Sequence, residues 1–138
     1  MYEYARQVHV YETDLMGIVH HSNYLRFCEE ARVDWCRKHG LQLNGAEDGA
    51  HAVFSLTVFE TKVKHLKPLR YADELKINLQ VKAEGARIIF QYKLRANGVL
   101  ASLAESVHCN IDVNYRVKRL SSELIKLVEN GKWTETWL

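Results

Sequence analysis

One segment constrains the architecture more than any other. From Asn23 to about His39, Tyr24, Phe27, Cys28, Ala31 and Trp35 recur at the i, i+3, i+4, i+7, i+11 spacing of a single helical face. Arg26, Glu29, Glu30, Asp34, Arg37 and Lys38 fill the other faces, with Arg26–Glu30 and Asp34–Lys38 at the i, i+4 spacing of charge pairs on a solvated helix. Ser22 is placed to accept from a free N–H of the first turn, and Gly40 stands where a left-handed residue ends a helix. A lone amphipathic helix cannot bury its own stripe. The rest of the chain must supply the covering surface.

That remainder reads as strands. Tyr4 to Tyr11 carries Tyr4, Val8 and Val10 on one alternation phase. After a polar loop, Asn44 to Ala50, a long strand runs from Val53 to His65, and its phase slips near Val58 and Phe59 as at a bulge. Ile77, Leu79 and Val81 alternate within Lys76 to Lys82, and Ile88, Phe90, Tyr92 and Leu94 do so in the next segment. Asn97-Gly98 supplies a two-residue hairpin turn. Val99, Ala101, Leu103, Val107, Cys109, Ile111 and Val113 then share a face, broken by Glu105, which is expected at a bulge, a subunit contact or a polar pocket. Ser121 to Glu129 has the pattern of a short amphipathic helix. The expected architecture is a single α+β domain over residues 1–138, an antiparallel sheet wrapped around one long central helix.

Several function classes are disfavoured. A net charge of +2 and a pI of about 8.4 are too mild for a nucleic-acid partner. Cys28, Cys36 and Cys109 form no C-x-x-C pair, which argues against a disulfide framework or zinc knuckle and suits a reducing, cytoplasmic setting. No apolar run approaches the roughly 20 residues that span a bilayer, and the first residues lack the apolar core of a signal peptide. Trp133 and Trp137 are expected to pack on a partner subunit, since no basic amphipathic stretch accompanies them. His20 and His21 with Asp14 suggest a metal at first sight. Adjacent histidines on a turn diverge, however, and no further ligand has zinc-like spacing. Neither metal nor cofactor is expected.

The chemistry concentrates just before the helix. Free N–H groups and the positive end of the dipole at a helix start make an anion site, which suits a negative charge that develops in a reaction. Gly17 lets the preceding loop turn tightly and lets a ligand approach the backbone, and Asp14 is held on that loop. Asp14 also fits a plain Asx-turn ahead of Gly17. Cys28 and Cys36 read as core, and His108 and Cys109 point to opposite faces of a strand, which argues against a dyad.

The run Asp14, Gly17, Ile18, Val19, His21, Asn23 and Tyr24, in the pattern D-x-x-G-[IV]-V-x-[HY]-x-N-Y, resembles the signature of the 4-hydroxybenzoyl-CoA thioesterase family, and within it the Tol-Pal-associated acyl-CoA thioesterase branch. The likeness is dense from Tyr11 to Gly40 and looser through Lys67 to Leu75 and the later strands. It implies a hotdog fold and hydrolysis of an acyl-CoA to a carboxylic acid and free CoA. Asp14 would act as nucleophile or general base, with the N–H of His21 on the thioester oxygen. His20, with Tyr24, would line the pocket, and Asn23 would fix the first helical turn. The resemblance also implies homo-oligomers, a dimer or a homotetramer built as a dimer of dimers, with active sites between subunits. Among the basic residues, Arg87 is the expected CoA contact, although Gly85 and Ala86 stand where relatives can carry cations. The alternatives are a hydroxyacyl-thioester dehydratase and a non-catalytic acyl-CoA-binding or scaffold protein of lipid or cell-envelope metabolism.

Overall fold

The computed structural model describes residues 1–40, 56–112 and 114–138. The expected loop from Asn44 to Ala50, the first residues of the Val53 to His65 strand, and Val113 lie outside them. The order is β1 (Glu3–Gln7), a 3-10 turn (Val10–Glu12), α1 (Ser22–Lys38), β2 (Leu56–His65), β3 (Glu74–Glu84), β4 (Arg87–Ala96), β5 (Val99–Asn110) and α2 (Ser122–Glu129). The strands form one antiparallel sheet in the order β1-β3-β4-β5-β2. The stripe Tyr24, Phe27, Cys28, Ala31 and Trp35 is buried on α1, and Trp35 meets Phe90 edge-on at 5.9 Å. The sheet contributes Ile77, Leu79, Val81, Ile88, Phe90, Tyr92 and Leu94 to the same core.

The first strand is shorter than the Tyr4 to Tyr11 expected. Its partner β3 begins at Glu74, opposite Gln7, so no ladder exists for the next residues. The chain turns there instead, and the Glu12 carboxylate accepts from the His9 N–H at 2.8 Å. The slip near Val58 and Phe59 is a bulge, with the register passing from Val58 to Glu60. On β5 a register shift opposite Leu94 and Arg95 interrupts the alternation at Ala101, which is buried in the core, and beyond it the apolar phase from Leu103 to Cys109 does not face the helix. Ser102, Ala104 and Ser106 stand opposite Leu94, Tyr92 and Phe90, where bulky neighbours leave room for small groups only. Glu105 lies on the outer face, taking a 2.6 Å hydrogen bond from Gln91 Nε2 with Lys62 Nζ at 3.7 Å, so its surroundings are polar.

Residues 131–138 close one edge of the sheet and then cross its outer face. β1 covers β3 only as far as Asn78, and Lys132 bridges Val81 beyond it. A Cβ on Gly131 would sit 2.0 Å from Val81 Cγ1, so only glycine makes this approach. Gln80 Nε2 then donates to the Glu135 carbonyl at 2.6 Å, and the Trp137 N–H donates to Gln91 Oε1 at 2.7 Å. Trp133 and Trp137 lie 4.5 Å beneath Lys82 and Lys93. The two tryptophans thus pack beneath lysines of their own sheet and keep part of their surface exposed. Among the described residues, the short β1 and the longer β2 are the edge strands, and on β2 Val58 and Phe59 are about half exposed. No described helix is long and apolar enough to cross a membrane.

Candidate active site

The loop before α1 is fixed by its own backbone. The Asp14 N–H donates to Ile18 O at 2.8 Å, and the Gly17 N–H returns to Asp14 O at 3.0 Å. Gly17 closes this turn at φ +78°, a left-handed conformation that side chains with a Cβ disfavour. The Val19 N–H donates to Leu69 O at 2.8 Å, pinning the loop to the chain ahead of β3. Asp14 Oδ1 accepts from the Met16 N–H at 2.7 Å, an Asx-turn, so the structural role open to Asp14 is real. Its other carboxylate oxygen has no partner among the described residues, and Asp14 lines a cleft of about 400 Å3.

His21, Tyr24, His65 and Lys67 share that cleft. His65 at the end of β2 meets Tyr24 edge-on at 4.5 Å, and burial raises the Tyr24 phenol above its usual pKa, keeping it neutral. The amides at the helix start can be followed one by one. The Ser22 N–H goes to His20 Nδ1 at 3.1 Å, that of Asn23 to His20 O at 2.9 Å and that of Tyr24 to His21 O at 3.3 Å. The His21 N–H has no acceptor among the described residues. One amide is therefore left over where the helix dipole is positive.

Two expectations change in detail. Ser22 is the first helical residue rather than the cap, because His21 already has helical angles (φ −55°, ψ −29°). Its hydroxyl instead lies 2.8 Å from the His20 ring. His20 is exposed, lies against the tilted ring of His21 at 4.1 Å and is outside the cleft, where its ring satisfies the Ser22 amide. Asn23 is buried and ties the helix to the loop, its Nδ2 donating to Glu12 O at 2.8 Å. That same carbonyl accepts from the His20 N–H at 2.9 Å.

Other contributors escape a sequence reading. Glu12, itself buried, pairs with Arg6 at 2.6 Å, and Arg6 also reaches Glu30 at 2.7 Å while covering Phe27 at 4.3 Å. His65 and Lys67 join the cleft although they follow a strand far from Asp14 in the chain. The Lys67-Pro68 junction was their only local signal. Arg87 lies elsewhere, stacked over Phe59 at 4.4 Å in a separate cleft of about 410 Å3 with Thr57 and Cys109. Thr57 and His65 are at opposite ends of β2, roughly 26 Å apart at strand rise, so Arg87 does not reach the Asp14 cleft of its own chain. No cluster of metal-binding side chains occurs among the described residues.

Comparison with known proteins agrees with this layout. The model of the thioesterase-like superfamily matches residues 8–133. A protein of Aquifex aeolicus (strain VF5) with only a provisional esterase name is 31% identical over 92% of this chain and 97% of its own. The 1,4-dihydroxy-2-naphthoyl-CoA hydrolase of Thermosynechococcus vestitus (strain NIES-2133 / IAM M-273 / BP-1) is 28% identical over 83% of this chain and 78% of its own. The crystal structure of a 1,4-dihydroxy-2-naphthoyl-CoA thioesterase from Synechocystis superposes with a TM-score of 0.84 at 23% identity, covering 93% of this chain and 95% of the other. That last likeness is one of fold.

Proposed function

The chain belongs to the thioesterase-like superfamily and has the hotdog fold; from that premise we propose that it hydrolyses an acyl-CoA thioester to a carboxylic acid and free CoA. One observation carries the reading: Asp14, with one carboxylate oxygen unpartnered, and His21, whose N–H has no acceptor among the described residues, both line a single cleft where α1 begins. A thioester carbonyl lying between them has its oxygen on the amide and its carbon towards the acid. Attack at that carbon moves a pair of electrons onto the oxygen, and a preplaced donor there stabilises the charge by an amount worth on the order of 10²–10³ in rate. Asp14 serves either as nucleophile, forming an acyl anhydride that water cleaves, or as base on a water that attacks directly. Collapse expels the CoA thiolate, which takes up a proton. Tyr24 and His65 wall the acyl entrance, Gly17 shapes the turn, and Asn23 holds the loop on the helix. His20 contributes through the Ser22 amide.

Arg87 enters through a second copy of the chain. Antiparallel pairing of β2 with its own copy would bury the open edge and bring the Thr57 end of one strand beside the His65 end of the other. The Arg87 cleft of one subunit then adjoins the Asp14 cleft of its neighbour, where a guanidinium suits the CoA phosphates. A dimer of dimers extends this pairing. The relative named as a CoA-ester hydrolase supports the CoA part of the substrate. The Tol-Pal-associated branch rests on the loop signature alone, and the free thiols fit a cytoplasmic setting.

Thiol release over a panel of acyl-CoAs tests the reading. Asp14→Asn should lower turnover by about 10²–10⁴, the usual worth of a positioned acid or base, without loss of stability. A variant that keeps the wild-type rate sinks the assignment. An acyl-CoA-binding protein without activity would bind the esters and release no thiol. Arg87→Ala should raise KM for CoA esters by about tenfold, one charge-assisted contact, and leave pantetheine esters unchanged. Equal effects on both remove Arg87 from the CoA site.

A further inference from the structure

A second hollow, of about 240 Å3, is lined by the same two elements as the Asp14 cleft, α1 and β2, further along the helix. Arg32, Cys36, Leu56, Phe90 and His108 line it, with Glu29 at the rim. Arg32 Nη1 donates to the Tyr92 hydroxyl at 3.2 Å, the Tyr92 and Ser106 hydroxyls lie 2.8 Å apart, and Ser106 Oγ is 2.9 Å from His108 Nε2. Tyr92, Ser106 and His108 are all buried. This is a built polar site inside an apolar core, and the hydrolysis of a thioester makes no use of it.

Its charge is one-sided. A guanidinium stays protonated in proteins. The only carboxylate paired with Arg32 among the described residues is Glu29, at 3.9 Å, with its side chain 64% exposed. That separation exceeds the roughly 2.7–2.9 Å of a charge-assisted hydrogen bond. His108 adds no charge of its own: burial, and secondarily the Arg32 charge, push its pKa down to about 4, so it is neutral at neutral pH. A partly buried cation with most of its donors unused by the protein is a ready partner for an anion.

We propose that this hollow receives the far end of the acyl group, and that Arg32 selects acyl chains ending in a carboxylate. The inference rests on the thioesterase reading and names the substrate class of that site. Tyr24 and Arg32 lie two i+4 steps apart, roughly 12 Å by helical rise, a span that a carboxyl-terminated chain of about eight carbons covers together with the Arg32 side chain, which leans back toward the helix start. A carboxylate matches the planar guanidinium with two parallel hydrogen bonds. The Tyr92–Ser106–His108 chain holds Arg32 in place, leaving its remaining donors for the ligand.

The test compares kcat/KM by thiol release for suberoyl-CoA, its ω-methyl ester and octanoyl-CoA. Wild type should favour suberoyl-CoA over both neutral esters by roughly 10- to 100-fold, the worth of a hydrogen bond to a charged group. Arg32→Met should bring the ratio near one while octanoyl-CoA turnover persists. The methyl ester comparison needs no variant, so it decides even where Arg32→Met fails to fold. Wild type that cleaves octanoyl-CoA as fast as suberoyl-CoA, or faster, overturns the inference and leaves the thioesterase reading standing. Absence of thiol release from any acyl-CoA overturns both.

Discussion

The two ends of the α1–β2 groove are constructed differently. At the helix start, the bonds from Asp14 N–H to Ile18 O, Gly17 N–H to Asp14 O and Val19 N–H to Leu69 O are all main chain, and the groups left for chemistry are one carboxylate oxygen and one amide. Two helical turns further, Arg32, Tyr92, Ser106 and His108 converge from α1, β4 and β5 through side chains alone. A site built from backbone tolerates changes at most of its side chains but depends on the few that anchor the loop. A site built from buried side chains has no spare member, because each group satisfies the next. The first end should therefore fail through its anchor, and the second through its protonation state.

The larger effect is expected at the anchor. Arg6→Met leaves the Glu12 carboxylate buried, with the His9 N–H as its remaining partner. Removing one partner of a buried pair costs about 3–5 kcal/mol. Both side chains qualify, at 9% and 8% exposure. Because Glu12 O also holds the His20 amide and the Asn23 side chain, kcat should fall together with stability. Denaturant midpoints and thiol release on the same samples measure both. Adding Glu12→Gln to Arg6→Met should recover much of the stability, since the stranded charge disappears. An unchanged midpoint in the single variant would show that the loop does not hang on this pair.

The same contrast explains what the sequence discloses. Asp14, Gly17, His21, Asn23 and Tyr24 are legible because a helix start is local: cap, turn and free amide lie within a few residues of one another. The stripe of α1 and the bulge after Val58 are legible for the same reason, being changes of period along one segment. The faces of β5 are not, because alternation reveals the period but not which phase meets the helix. That choice depends on the size of Tyr92 and Phe90 across the ladder, information carried by another strand. Arg32 and Tyr92 are 60 residues apart, and Gln80 meets Glu135 at a separation of 55, so neither contact leaves a local trace. Arg32 stands outside the apolar stripe of the helix, and its contact with a tyrosine hydroxyl follows only from the sheet register. Arg87 was placed by resemblance, and its distance from Asp14 becomes intelligible only when β2 is seen as an open edge.

The smaller effect belongs to the buried end and appears on acidification. In the unfolded chain His108 titrates near the ordinary value of about 6.5. Burial and the Arg32 charge lower it to about 4 in the fold. As pH falls through this window the unfolded state takes up the proton first, so folding stability declines between roughly pH 6.5 and pH 4 and is fully present above it. At about 1.4 kcal/mol per unit, the loss from this one group is on the order of 3 kcal/mol. His108→Gln can still bond Ser106 but cannot take up that proton, so urea midpoints should fall less steeply with acid in the variant than in wild type. Parallel slopes over that range would mean that the fold does not hold His108 neutral there, and acid would then add a second positive charge beside Arg32.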